Sequence, residues 1–295
     1  MHSANPDRER AAASAEPAFP ALLAYCAPAL PLAALTLPVY IFVPSFYAQA
    51  LGGPIAAVGL VLLVTRIFDA VTDPLIGTLS DRWSTRFGRR KPWIAAGCPV
   101  AVLSAWMLFV PPDGAGATHL LIWSLMLSLA WTTMLIPYSA WGAELTGDYD
   151  GRSRVTGLRE SMTVAGTLLA TAAPAALAAF GHPGQAAALL AIAIFIVVVL
   201  PLAVTVALGW TPDPRQSSCR RLPFRVGLVA VARNRPFVRL LCAFLINSLA
   251  NAFPATLFVF YVSRRLDAPD AVDWAKPMYM SWSAKTTVSL RPTFR

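Results

Sequence analysis

The sequence predicts an all-α polytopic membrane protein, and its composition and its helix breaks are the observations that support this prediction. Of 295 residues, 57% are hydrophobic and 13% are charged, with a mean hydropathy of +0.58. A typical soluble domain has about 25% charged residues, because its exterior must be wetted by water. Breaks rich in Pro and Gly divide the apolar residues into stretches of spanning length. The composition therefore excludes a soluble enzyme, and equally a disordered, collagenous or disulfide-rich secreted protein.

Seven apolar stretches have about the 20 residues that a membrane-spanning helix needs. We predict that the first six form one bundle over residues 22–210 and that residues 237–263 form a further helix. The remaining parts are an N-terminal tail, 1–21, a basic central loop, 211–236, and a non-spanning tail, 264–295. The seven stretches are 22–49, 54–80, 93–111, 118–143, 156–180, 185–210 and 237–263.

The basic residues predict the orientation of these helices. Lys and Arg collect in the N-terminal tail and in the second, fourth and sixth breaks, whereas the first, third and fifth breaks contain none. Because basic loops stay on the cytoplasmic side during insertion, we predict a cytoplasmic N-terminus in a plasma (inner) membrane. The net charge of +9 is then a topology signal, and nucleic acid is not predicted as a partner.

Three charged residues fall inside the second predicted span. Arg66, Asp69 and Asp73 are spaced i, i+3 and i+7, which places them on one helix face. At 1.5 Å per residue, Arg66 and Asp69 each lie roughly 18 Å from the nearer end of the span. Charges at that depth are costly and face the bundle interior. Two carboxylates one turn apart repel each other, so we predict that Asp69 and Asp73 bind H⁺ or Na⁺. The alternative is a structural triad, with Arg66 neutralising one carboxylate and water the other.

Proline beside aromatic residues marks the first and fourth spans. The sequences Leu37-Pro38-Val39-Tyr40 and Leu135-Ile136-Pro137-Tyr138 are similar, and interrupted helices at matching places in a repeat point to a binding site. Trp131 and Tyr138 fall on one helix face. Trp131 could stack on a sugar ring, or it could serve packing or an interfacial belt.

Two longer motifs make a resemblance visible. The loop from Ser80 reads SDRWSTRFGRRKPW, and the fourth span ends in IPYSAWGAELT, residues 136–146, followed by Asp150 to Arg154. With the cluster that begins at Arg66, the chain resembles, over about residues 22–263, the glycoside–pentoside–hexuronide:cation symporters of the major facilitator superfamily. The resemblance implies a sugar or glycoside carrier driven by Na⁺ or H⁺, with alternating access between two six-helix halves.

The resemblance also implies roles for single residues. Asp69 and Asp73 match the carboxylates that bind the coupling cation in melibiose-type members, while the two other acids of those members fall at Ala33 and Leu135 here. Arg159 matches a sugar-contacting arginine, with a charge at the loop boundary as the alternative. The predicted substrate site comprises Arg66, Trp131, Tyr138 and Arg159. The predicted cytoplasmic gate, for which ordinary surface charge is the alternative, comprises Asp81, Arg82, Gly88 and Arg89.

The chain holds seven predicted spans where a full member of that family has twelve. Through residue 265 it has one Lys against 19 Arg, and in the last 30 residues two of each, which suggests a shifted reading frame or a truncated gene. An ordinary periplasmic tail is the alternative. We therefore expect that the chain does not transport by itself and that a C-terminal half is missing, or that it is a non-transporting remnant.

An enzyme is the alternative class of protein. An intramembrane prenyltransferase-like enzyme would use Asp69 and Asp73 to hold Mg²⁺ and a diphosphate, but the spans contain no second acidic cluster. We therefore predict that the protein is not an enzyme and has no cofactor. Its expected partners are the lipid bilayer, a small sugar or glycoside, and the coupling ion.

Overall fold

The computed structural model is helical throughout most of the residues that it describes, and its only β feature there is an isolated bridge between Thr85 and Gly88. The all-α prediction is confirmed. The predicted N-terminal tail and central loop lie mostly outside the described residues, and the tail 264–295 lies wholly outside them. The described residues are 19–49, 55–83, 85–146, 148–179, 181, 185–212, 233–247 and 250.

The chain divides into two compact units, Met1–Ser217 and Ser218–Arg295. In the second unit, residues 235–247 are helical, and the rest of the predicted helix 237–263, apart from residue 250, lies outside the described residues. In the first unit the elements are α1 (Phe19–Cys26), α2 (Ala29–Leu37), a π-helical turn (Pro38–Phe42), α3 (Val43–Gln49), α4 (Ile55–Arg82), α5 (Lys91–Phe109), α6 (Ala117–Glu144), α7 (Tyr149–Ala179) and α8 (Gln185–Trp210).

The first predicted span, 22–49, is a divided helix rather than a continuous one. Pro28 precedes α2 and Pro38 opens the π-helical turn. Proline lacks the N–H that would bond to the carbonyl four residues earlier, and an inserted π-turn accommodates the lost bond. The π-turn brings Tyr40 to the wall of a cavity.

Each of the long helices α4 to α8 contains an internal proline, at Pro74, Pro99, Pro137, Pro174 and Pro201. Neighbouring helices allow such interruptions within a membrane bundle. By length and composition, four helical segments of the described residues could cross a membrane: Phe19–Tyr40, Lys91–Phe109, Ala117–Glu144 and Ala186–Trp210. The other two predicted spans correspond to α4 and α7, which are less apolar because they carry charged residues.

Packing fixes which helices meet. α6 packs against α4 and α5, α2 packs against α7, and α8 packs against α5. α2 and α7 approach closely at Gly166, where a Cβ would collide with the backbone carbonyl of Leu30. Between α1 and α6, Tyr25 and Tyr138 each donate a hydroxyl hydrogen bond to the other's backbone carbonyl, at 2.9 and 2.8 Å. The tyrosine pair thus fixes α6 against α1, and α6 also packs against α4, where the charged residues lie.

Candidate functional site

A cavity of about 180 Å³ lies between the π-helical turn, α4 and α6. Its polar wall consists of Arg66, Asp69 and Asp73 from α4 and hydroxyl residues of α6, and its remaining wall is mostly aliphatic. The structure thus brings together the three intramembrane charges that the sequence singled out.

Each of the two α4 carboxylates that line the cavity accepts a hydrogen bond from one hydroxyl group of α6. Ser128 donates a hydrogen bond to Asp69 Oδ1, and Thr132 donates one to Asp73 Oδ1 at 2.7 Å. The two carboxylates are four residues apart on α4, and the two hydroxyl groups are four residues apart on α6. The two hydrogen bonds therefore lie one helical turn apart along the contact between these helices. Ser128 and Thr132 are not among the site residues predicted from the sequence. Ser128 and Thr132 have the same four-residue spacing as Asp69 and Asp73, which is a signal in the sequence. Matching each hydroxyl to a carboxylate, however, requires knowing that α4 packs against α6.

Arg66 neutralises only one of the two carboxylates. Its Nη1 lies 3.1 Å from Asp69 Oδ2, and its Cζ lies 4.5 Å from the ring centroid of Tyr40, a cation–π distance. Asp73 has no cationic partner in the part of the chain that the structure describes. The three charges therefore sum to −1 on one side of the cavity.

The predicted substrate residues are not all brought to this cavity. Arg66 and Trp131 line it, whereas Tyr138 and Arg159 do not. Tyr138 lies seven residues after Trp131 on α6, and its ring is buried and stacked on Tyr25 with centroids 4.7 Å apart. Arg159 lies beside the Tyr25 hydroxyl and pairs with its neighbour Glu160 at 3.0 Å. Shared helix face did not imply shared surroundings, because Tyr138 is two turns beyond Trp131.

The 83–90 loop lies at one end of the bundle, which we call the basic end. There Arg90 is almost fully buried and joins the ends of two helices. Its Nη1 lies 2.6 Å from Asp81 Oδ1, and its Nη2 donates to Glu144 Oε1 at 2.9 Å. Arg89 also pairs with Glu144.

The structure places only some of the predicted gate residues in this ion-pair network. Asp81 and Arg89 belong to the ion-pair network, and Gly88 shapes the loop with a φ of 100°, in the left-handed region that suits glycine. Arg82 is exposed and has no ion pair among the described residues. Arg90 and Glu144 were missed, since adjacent arginines are indistinguishable until burial is known.

Lys91 links the basic end to a third helix, α8. Its Nζ donates to the backbone carbonyl of Leu208, in the last turn of α8, at 3.0 Å and to that of Thr211, just after the helix, at 2.9 Å. A cation there satisfies carbonyls that lack helical partners and complements the helix dipole. The run Arg89-Arg90-Lys91 thus connects α4, α6 and α8.

Comparison with known proteins gives a family and several relatives. The model of the family described as MFS/sugar transport protein matches residues 24–282. An uncharacterized symporter of Bacillus subtilis is 29% identical over 237 residues, covering 78% of this chain and 51% of the relative. An inner membrane symporter of Escherichia coli is 31% identical over 136 residues, covering 45% and 30%. The human sodium-dependent lysophosphatidylcholine symporter 1 is 29% identical over 252 residues, covering 72% and 45%. The chain spans about half the length of these relatives or less.

Proposed function

The chain belongs to the MFS/sugar transport protein family, and on that premise we propose that it provides the cation site of a symporter that carries a sugar or glycoside. Asp69 and Asp73 take up the coupling ion, H⁺ or Na⁺, and the substrate occupies the adjoining cavity beside Arg66 and Trp131. The family and the named relatives are transporters, so an enzymatic role is not proposed.

The unbalanced charge of the cavity is the observation that carries this proposal. Arg66 leaves one of two carboxylates without a cationic partner among the described residues. Net charge within a membrane bundle is costly, and a bound cation or proton would bring the sum of the three charges to zero. In the structural-triad alternative, water solvates the exposed Asp73 and no counter-charge is bound.

The oxygen atoms around Asp73 suit a hard monovalent cation. Thr132 donates its proton to Asp73 and keeps lone pairs on the same oxygen. Pro74 removes the N–H donor for the carbonyl of Ala70, one turn earlier in α4. Carboxylate, hydroxyl and carbonyl oxygens are ligands that such ions prefer. Arg66 would respond to an ion or proton at Asp69, because neutralising that carboxylate weakens the ion pair that holds the guanidinium.

A second substrate class is favoured by the remaining wall of the cavity. That wall is largely aliphatic, which suits an acyl chain better than a fully hydroxylated ring. The human relative is named for lysophosphatidylcholine. An amphiphile with a charged headgroup at Arg66 is therefore the second candidate. Its aliphatic chain would lie along Leu35, Val39, Val43, Leu62, Leu120 and Leu127.

The ion-pair network at the basic end is proposed as the cytoplasmic gate. Asp81, Arg90 and Glu144 join the ends of α4 and α6 there, so the cavity would open to that side only when these pairs separate. We also propose the plasma membrane as location and a cytoplasmic N-terminus, from the distribution of Lys and Arg.

Ion binding by the purified full chain tests the proposal. Because the chain spans about half the length of its relatives or less, binding is the property to measure, and the transport cycle remains a proposal for a whole carrier. We expect ²²Na⁺ to bind with D73N lowering its affinity at least about tenfold, a loss of about 1.4 kcal/mol. If H⁺ is the ion, Na⁺ does not bind and the fluorescence of Trp131 shifts with pH instead, and D73N abolishes that shift.

Asp113→Asn is the matched control, since it removes one exposed carboxylate from the loop before α6. A Trp131→Phe variant identifies the fluorescence of that residue among the nine tryptophans. Titration with glycosides and with lysophosphatidylcholine then separates the two substrate classes. Sodium binding and pH response that are both unchanged in D69N and in D73N would reject the cation site.

A further inference from the structure

The basic residues of the 82–91 segment fall into two groups that the sequence cannot tell apart. One group is bonded within the bundle: Arg89 pairs with Glu144, Arg90 pairs with Asp81, and Lys91 donates to a carbonyl at the end of α8. Arg82 and Arg86 are exposed and have no carboxylate partner among the described residues. Two unpaired positive charges thus remain on this loop while its neighbours hold the bundle together.

Exposed aromatic rings accompany the two unpaired arginines. Trp83 is 60% exposed and Phe87 is 64% exposed. Arg86 lies over the Phe87 ring at 4.7 Å, and Trp83 makes an edge contact with Trp93 at 6.3 Å. The turn is fixed by reciprocal backbone hydrogen bonds between Thr85 and Gly88, both 3.1 Å. The loop therefore presents aromatic and cationic groups together on a defined turn.

The depth of the loop in a bilayer follows from the length of α4. Its 28 residues rise about 42 Å at 1.5 Å each, close to the ~40–45 Å of a bilayer with its headgroups. Arg82, the last residue of α4, and the loop after it then lie among the headgroups at one surface. Trp is enriched at that level, and guanidinium groups bind phosphate oxygens with two hydrogen bonds.

We propose that Arg82, Trp83, Arg86 and Phe87 form a binding surface for anionic phospholipid headgroups. The arginines bind the phosphodiester and its net negative charge, and the two rings lie at the boundary between headgroups and acyl chains. The surface is separate from the cavity and does not depend on the proposed transport function. A soluble acidic protein is the less favoured occupant, because the rings at headgroup depth would stay in contact with lipid.

Lipid titration of the full chain in detergent, followed by native mass spectrometry, measures this binding. Phosphatidylglycerol and phosphatidylcholine with identical acyl chains are the two probes. We expect the wild type to prefer phosphatidylglycerol. R82Q/R86Q should weaken phosphatidylglycerol binding about 25-fold, since each near-surface arginine contributes about a fivefold change. Phosphatidylcholine binding should be nearly unchanged, and inorganic phosphate should not displace the bound lipid.

R82K/R86K keeps both charges and should retain most of the preference, which also keeps the test valid if the neutral variant folds poorly. The control R233Q/R235Q removes two exposed arginines from the second compact unit and should leave the preference unchanged. The proposal is overturned if the wild type binds both lipids equally, or if the control pair loses as much as R82Q/R86Q. It is also overturned if the loop variants keep their lipid preference but lose a co-purifying soluble protein.

Discussion

Replacing Arg90 by Met tests whether the basic end is held together by one buried cation. Met keeps an unbranched side chain of similar length and removes the charge and all its donors. Arg90 contacts Asp81, Glu144 and Ser80, whereas the adjacent Arg89 contacts Glu144 and is one-third exposed. R89M is therefore a control with the same partner, the same charge change and less burial.

The cost of R90M can be worked from each contact. A hydrogen bond to a charged group contributes about 1.5–3 kcal/mol, which applies to the pair with the half-buried Glu144. The pair with Asp81 contributes at most about 1 kcal/mol, because that carboxylate is 60% exposed. Ser80 loses little, since its hydroxyl still donates to the Gly77 carbonyl at 3.1 Å. We expect R90M to lower the free energy of unfolding by about 1.5–4 kcal/mol, a range centred below the 3–5 kcal/mol of a fully buried pair.

For R89M we expect a loss of at most about 1 kcal/mol, because water screens its one-third exposed guanidinium and Arg90 still neutralises Glu144. Unfolding is followed by circular dichroism during titration with sodium dodecyl sulfate in mixed micelles, and the free energies are compared between variants. Combining R90M with Glu144→Gln should give a loss smaller than the sum of the single losses, because both remove the same contact. Equal losses in R90M and R89M, or additive losses in the double variant, would show that Arg90 does not hold the basic end.

Two further predictions concern helix contacts. G166A should destabilise the bundle by about 1–3 kcal/mol, because its Cβ would meet the Leu30 carbonyl. The control G157A, on the same helix, places its Cβ in open space and should be neutral or slightly stabilising. Thermal unfolding of both variants in one detergent measures the difference, and a G166A variant as stable as the wild type would contradict the close approach. K91Q should lower the stability of the last turn of α8 by about 1–2 kcal/mol, because the carbonyls there lose a cationic donor. Amide hydrogen exchange near Leu208 should become faster. Unchanged exchange there would show that the Lys91 contact does not stabilise the helix end.

The cavity illustrates what a periodic pattern can and cannot predict. The i, i+3, i+7 spacing placed Arg66, Asp69 and Asp73 on one face of α4, and the structure brings them to one cavity wall. The same reasoning assigned Tyr138 to the site with Trp131, and the structure buries it against Tyr25 instead. A helix face runs the length of the helix, so residues two turns apart meet different neighbours.

Composition and spacing alone determined that the chain is helical, apolar and marked by charged residues at mid-span, because these properties depend on each residue and its near neighbours along the chain. The tertiary structure decided the partners: Ser128 for Asp69, Thr132 for Asp73, and Arg90 rather than Arg82 for the basic end. Such pairings join residues separated by up to 59 positions in the sequence. They depend on which helices pack together and how deeply each side chain is buried. Neither property can be predicted from the spacing of residues along one helix.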